Sequence, residues 1–241
     1  MIISHARRFI FIKTIKTAGT SLEIVLSKYC GEDDIITPIV LRDEELRKQA
    51  GGLAPRNYEV APRDLSWARR IRRAVTGRPV PRFIAHTPAW KVRREIGPEI
   101  WDSYFKFSVV RHPVDRCLSR FHWTRDFDRE RGLAEYWDAG NFDQFVQYRP
   151  NFINENWPLY TERGQVTLDH LVKYEDFEAG LGVVSEKIGL GHNIYEDLRQ
   201  VRAKGSHRPK GEKPDDVVSD RHRQLISLLC EKEIELFDYK L

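Results

Sequence analysis

The feature that most restricts the fold is an abrupt change of hydrophobic period near the start of the chain. Residues 8–12, Arg-Phe-Ile-Phe-Ile, form a short apolar run with the pattern of a buried strand. From Thr20 onward the period becomes helical, with Leu22, Val25, Leu26 and Tyr29 on one face and Thr20-Ser21-Leu22-Glu23 in the form of a capping box. A strand feeding a helix through a short Lys/Thr/Gly turn buries that strand under its own helix. The same grammar recurs at residues 104–110, the strongest strand signal. There Arg111-His112 leads to Pro113, which opens a helix with Val114, Cys117, Leu118 and Phe121 inward. Weaker repeats are a strand at 82–85 with a helix at 88–96, and a strand at 166–172 with a helix at 175–188 ending at Gly189. Residues 35–41 read as an irregular strand because of Pro38, and 42–49 as a helix. After a loop at 192–219, a last amphipathic helix puts Leu225, Leu228, Leu229 and Leu236 on one side. This alternation predicts an α/β fold with a mostly parallel sheet covered on both faces, and a ligand at the carboxyl ends of its strands.

The 241 residues suit a single domain, 1–241, with excursions at 42–80 and 124–165; Gly and Pro are densest at 50–80. Hydrophobic residues at 41% and aromatics at 11% exclude a disordered chain, and no apolar run approaches the roughly 18 residues of a membrane helix. Cys30, Cys117 and Cys230 are far apart and show no metal-ligand spacing. Neither a disulfide framework nor a zinc site is predicted, and a cytoplasmic location is expected. The net charge of +4 is too mild to name a partner.

The chemistry concentrates at the two strand exits. Lys13-Thr14-Ile15-Lys16-Thr17-Ala18-Gly19-Thr20-Ser21 offers backbone N–H groups at a helix start, hydroxyls and a lysine, a combination suited to phosphate or sulfate. It is not a Walker A loop, because the lysine precedes the glycine. At the second exit Arg111 stands at the strand's carboxyl end and Ser119 about two turns along the helix, so both can reach one anion. A solvated turn and an Arg111–Asp115 ion pair are the plain alternatives.

At these segments the chain resembles a known family. Lys16-Thr17-Ala18-Gly19-Thr20-Ser21 looks like the 5′-phosphosulfate loop of the sulfotransferases, especially the carbohydrate type. The stretch from Val110-Arg111-His112-Pro113 through Ser119 resembles their 3′-phosphate motif. Lys173-Tyr174-Glu175-Asp176-Phe177 and Leu236-Phe237-Asp238-Tyr239 resemble the later core, and Ile15 departs from the family's usual proline. The resemblance implies a three-layer, P-loop-like α/β/α fold and 3′-phosphoadenosine-5′-phosphosulfate (PAPS) as sulfuryl donor, with the bisphosphate PAP as product and no metal. It implies that Lys16 and the amides of Thr17, Ala18, Gly19, Thr20 and Ser21 hold the 5′-phosphosulfate, and that Arg111 and Ser119 hold the 3′-phosphate. Lys204, Gly205 and Ser206 match, loosely, the basic loop that closes over the nucleotide.

An attacking hydroxyl needs a base, and histidine has a suitable pKa without tuning. Of eight histidines, His86 in Phe83-Ile84-Ala85-His86 follows a predicted strand and resembles the segment that carries the base in glycan sulfotransferases. A carboxylate is the alternative, and His112 is read as shaping its turn. The arginines at 63, 69, 70, 72, 73, 78 and 82, against Asp64 alone, suit either an anionic glycan acceptor or solvent. Trp123, Phe127, Tyr136, Trp137, Phe142 and Trp157 suit sugar stacking or packing. A kinase with the same cradle and a non-catalytic polyanion binder remain as other classes. No nucleic-acid motif or membrane span is predicted, and oligomeric state is not legible.

Overall fold

The structure, a computed structural model, describes residues 1–133, 141–201, 208–209 and 211–240. Its main strands are β1 (Ile2–Ser4), β2 (Phe9–Ile12), β3 (Ile35–Ile36), β4 (Phe105–Val110) and, after the separately paired β5 (Thr161–Glu162) and β6 (Gln165–Val166), β7 (His170–Lys173). Among the described residues, five of these form one sheet in the order β3-β1-β2-β4-β7. β2 with β4 and β4 with β7 are parallel, whereas β1 is antiparallel to both β2 and β3. The sheet is therefore mixed rather than mostly parallel. Ile2-Ile3-Ser4 is too short to announce itself in the sequence and forms its strand by hairpin pairing with β2.

The predicted strand–turn–helix units are present at α1 (Gly19–Ser27), after β2, and later at α6 (Pro113–Glu130), after β4. Between these units lie α2 (Leu41–Gln49), α3 (Trp67–Thr76), α4 (Ala89–Ile96) and α5 (Pro98–Ser103). Beyond them come α7 (Phe142–Tyr148), α8 (Trp157–Tyr160), α9 (Phe177–Lys187), α10 (Tyr195–Gln200), α11 (Asp220–Leu229) and α12 (Glu231–Phe237). Residue alternation along β2 sorts its side chains. Phe9 and Phe11 join Leu22 and Val25 of α1 and Leu181 and Val184 of α9 in one buried cluster. Ile10 and Ile12 join Phe83, Val92 of α4 and Trp101 of α5 in another. A third cluster, away from the sheet, packs Val114, Cys117, Leu118 and Phe121 of α6 against Phe145 and Ile226.

Several local expectations are corrected. Residues 82–85 form no strand; Phe83 is fully buried there, so its burial rather than sheet pairing explains the apolar run. The predicted strand at 35–41 shrinks to Ile35–Ile36. Thr20 does not cap α1: the N-cap is Ala18, in the left-handed region at φ 57°, and Glu23 points into the core. The last helix breaks at Cys230 into α11 and α12, leaving Leu228 and Leu236 exposed. The loop at 192–219 contains α10, and the breaker-rich segment at 50–80 contains α3.

Candidate active site

The three adjacent parallel strands share one polarity, so their carboxyl ends, Ile12, Val110 and Lys173, exit at the same edge of the sheet. The segments leaving these exits line a single cleft of about 550 Å³: Lys13 to Ser21 after β2, Arg111 after β4 and Tyr174 after β7. Ser119, Arg120 and Trp123 on α6, together with His86 and Arg208, complete the wall. Lys16, Thr17, Ala18, Gly19, Thr20, Ser21, Arg111, Ser119 and His86 are thus brought together. Lys204, Gly205 and Ser206 lie outside the described residues, as do Tyr136 and Trp137.

The loop after β2 is fixed at every turn. Lys16 and Ala18 both adopt left-handed φ, 62° and 57°, and this winding builds the concave run of N–H groups that anions favour. At Gly19 a Cβ would lie 2.9 Å from Lys13 Cγ and 3.3 Å from the Thr14 carbonyl oxygen, so a larger residue would force the loop open. Thr14 Oγ1 donates to the Val109 carbonyl of β4 at 2.5 Å, tying the two exits together. Buried Asn156 accepts from Ile15 N–H at 2.8 Å and donates to Ile15 C=O at 2.9 Å. That first bond uses a donor which the family's usual proline lacks, so the departure at Ile15 serves a local purpose.

Beneath the loop, Glu23 is fully buried among cations. Its carboxylate meets Lys13 Nζ at 2.6 Å, the Met1 amino group at 2.8 Å and Arg47 at 3.5 Å, and accepts from Thr37 Oγ1 at 3.0 Å. Burial pushes its pKa up, but the surrounding cations outweigh this and hold it at about 2. The T-x-x-E spelling thus serves a buried charge cluster, not a cap.

Arg111 combines both of its readings. Its Nε donates to Asp115 at 2.7 Å, the plain alternative, while Nη1 donates to the Lys16 carbonyl at 2.9 Å. The guanidinium lies 4.3 Å from the centre of the Tyr174 ring. Asp115 also holds Arg208, at 2.7 Å. These bonds orient the guanidinium fork and still leave part of its N–H set for a ligand.

His86 stands on a turn rather than after a strand. Its Nδ1 is 2.9 Å from the Lys13 carbonyl oxygen. A carbonyl only accepts, so Nδ1 carries the proton and Nε2 the lone pair. Burial, with a smaller contribution from nearby Lys13 and despite the carbonyl bond, lowers its pKa from 6.5 to about 4. The imidazole is therefore neutral at physiological pH. His112 occupies the N-cap position of α6 without a side-chain cap bond; its Nε2 instead bonds the Lys240 carbonyl at 2.8 Å and its ring lies against Tyr239.

Several residues of the cleft escape sequence reasoning: Tyr174, Arg120, Arg208 and the Asn156 clamp. Trp123, a stacking or packing candidate by sequence, has Lys16 Nζ 5.9 Å and the Arg120 guanidinium 4.8 Å from its ring centroid. Phe142, a candidate of the same kind, is core. Glu155, 3.0 Å from Arg120, is raised to about 7 by burial and is the carboxyl nearest in character to the alternative base. The two late motif segments dock together. Lys173 Nζ donates to the Phe237 carbonyl at 2.8 Å, and Tyr239 donates to Glu175 at 3.3 Å. Only the spacing of those late segments offered a signal; the others depend on side chains arriving from distant elements.

Among the described residues, no group of three or more His, Cys, Asp or Glu is placed to hold a metal ion, and no helix is long and apolar enough to cross a membrane. A protein of Archaeoglobus fulgidus described only as uncharacterized is 30% identical over 110 residues, covering 44% of this chain and 86% of its own length. No solved structure matches the chain. The family model described as the sulfotransferase family matches residues 1–240, so the chain belongs to that family of transferases.

Proposed function

We propose that the protein moves a sulfuryl group from PAPS to an acceptor hydroxyl of a carbohydrate and releases PAP, acting as one catalytic domain with a three-layer α/β/α arrangement. The observation that carries this reading is the convergence of two strand exits on one cleft, joined by the Arg111 bond to the Lys16 carbonyl. The loop amides of residues 17–21 and Lys16 suit a 5′-phosphosulfate, while the remaining guanidinium donors of Arg111 and the hydroxyl of Ser119 suit a 3′-phosphate. Two anionic ends held at fixed points leave the sulfuryl group little freedom but to face the acceptor.

In the transfer the acceptor oxygen forms a bond to sulfur as the bond from sulfur to the bridging phosphate oxygen breaks. Negative charge grows on the leaving phosphate, where Lys16 and the loop amides stabilise it. The hydroxyl proton passes to His86 Nε2, while Nδ1 keeps its own proton, donated to the Lys13 carbonyl. His86 is preferred over Glu155 because its ring lines the cleft, whereas Glu155 is engaged by Arg120. Bound donor brings several negative charges beside His86 and raises its pKa, which strengthens the base when it is needed. Lys204, Gly205 and Ser206 are assigned to closing over the nucleotide. Three free cysteines are consistent with a reducing, cytoplasmic setting.

Calorimetry with PAP against AMP and ATP tests the two-ended grip. PAP is expected to bind at least about tenfold more tightly than AMP, the difference disappearing in Arg111→Ala. Equal affinity for PAP and AMP, or preference for ATP with magnesium, would overturn the reading.

A further inference from the structure

Helix α3 is built unlike any other helix of comparable length described in the chain. None of its residues is buried, although short helices in water draw most of their stability from packing an apolar face. Its apolar residues Trp67, Ile71 and Val75 follow the i, i+4, i+8 spacing of one face, yet they are 77%, 55% and 79% exposed. The other flank is tied to the turn before the helix and to the start of the excursion. Arg70 donates to the carbonyls of Leu65 and Arg63 at 2.9 and 2.8 Å, and Arg73 pairs with Glu59 at 3.2 Å. The apolar stripe therefore looks outward by construction.

We propose that α3 is an interfacial helix that docks this protein on an anionic lipid bilayer. At about 100° per residue, Arg72 borders the stripe, Arg69 lies on the far side of the helix beside Arg73, and Arg78 sits just past the helix end. Among the described residues, Arg69, Arg72 and Arg78 enter no ion pair, so their charge is available to a partner. A single acid, Asp64, interrupts the arginines of this segment. That charge opposes docking of a second copy of the same surface and favours a polyanion. An acidic glycan would use the arginines but leave Ile71 and Val75 in water. An anionic bilayer takes both: headgroup phosphates meet the guanidinium groups, the aliphatic stripe enters the acyl boundary, and Trp67 settles at headgroup depth. The excursion leaves the body at Glu59 and returns at Pro81, which pair in an isolated bridge. Fully buried Phe83 then anchors the chain before His86 reaches the cleft. Docking at α3 would hold the cleft close to a membrane surface, a property not implied by sulfuryl transfer itself.

The test is flotation of the full chain with phosphatidylcholine vesicles, with and without phosphatidylglycerol. Binding is expected only to the anionic vesicles, weakening as salt is raised. It should fall at least about tenfold both in Trp67→Ser/Ile71→Ser/Val75→Ser and in Arg69→Gln/Arg72→Gln/Arg78→Gln, with PAP affinity and circular dichroism unchanged. Bromine-labelled lipid should quench fluorescence that Trp67→Phe removes. The proposal is overturned if the wild-type chain does not float, or if flotation survives both triple substitutions. It is equally overturned if the chain binds a heparin resin through the arginines while the apolar triple leaves vesicle binding unaltered. A dimer in sedimentation velocity that dissociates in the apolar triple would assign the stripe to self-association instead.

Discussion

The cradle at residues 13–21 and the excursion at 59–81 are both basic and both poor in regular strand, yet they are built on opposite principles. In the cradle, charge is anchored: Lys13 is bonded to buried Glu23, Arg111 is fixed by Asp115 and the Lys16 carbonyl, and Ile15 is clamped on both sides by Asn156. In the excursion, Arg69, Arg72 and Arg78 stand on or beside a helix with no buried residue. Six arginines in the excursion outnumber the two lysines of the cradle, but number alone does not account for the contrast. What separates them is how much of the surrounding protein must move for a charge to be displaced, which is the physical content of preorganisation.

The sharpest way to break this contrast is by turnover. Lys16→Ala and His86→Ala are each expected to lower kcat by about 10²–10⁴, read by single-turnover release of PAP. His86→Ala should leave PAP affinity nearly intact because its role is toward the acceptor. The Arg69→Gln/Arg72→Gln/Arg78→Gln variant should keep kcat on a soluble acceptor. Were its loss as large as that of Lys16→Ala, the arginine helix would belong to the chemistry and the division between the regions would fail.

Stability gives the next test. Glu23 is surrounded by Lys13, Arg47 and the Met1 amino group with essentially no access to water. Removing its charge strands the buried Lys13 and Arg47 cations in the interior, so Glu23→Gln is expected to cost about 3–5 kcal/mol in urea unfolding. Charge removal on α3 strands nothing. The depressed pKa of Glu23 also means its contribution is present above about pH 4.5 and is lost as pH falls toward about 2.

His86 sharpens the comparison through pH. Its folded pKa of about 4 lies below the unfolded value of 6.5. As pH falls through that window the unfolded chain binds a proton that the folded state still refuses, and stability declines. His86→Gln should flatten this part of the stability profile. In NMR titration the His86 ring should change near pH 4 in the ligand-free protein and at higher pH once PAP is bound. A free-protein midpoint near 6.5 would place the ring in water and remove the argument for a buried base.

Much of the cradle is legible in the sequence because its determinants are contiguous. Strand period, helix period and the Lys-Thr-Ala-Gly-Thr-Ser spelling lie within residues 8–29, and the Arg111 to Ser119 segment is equally local. The capping box misleads because the same Glu23 satisfies a short-range pattern and a long-range one, and burial against Lys13 and Arg47 decides between them. The strand expected at 82–85 fails for a related reason: Phe83 packs into the core from a turn, and an apolar run does not reveal which element carries it. β1 escapes notice since its three residues owe their conformation to the hairpin partner. Asn156 and Tyr174 cannot be assigned from sequence because their roles exist only after α8 and β7 arrive beside the loop.

The smallest expected effect is the most discriminating for α3. A fully buried aromatic such as Phe83 contributes through lost water contact and close packing, so Phe83→Ala should cost about 3–5 kcal/mol. Trp67, Ile71 and Val75 are apolar too, but all three lie mostly in water, and replacing them opens no buried cavity. The triple serine variant should therefore unfold within about 0.5 kcal/mol of the parent per site in the absence of lipid. If it instead lost several kcal/mol, these side chains would be packed on the body in solution, the stripe would not look outward, and the excursion would be an ordinary part of the core.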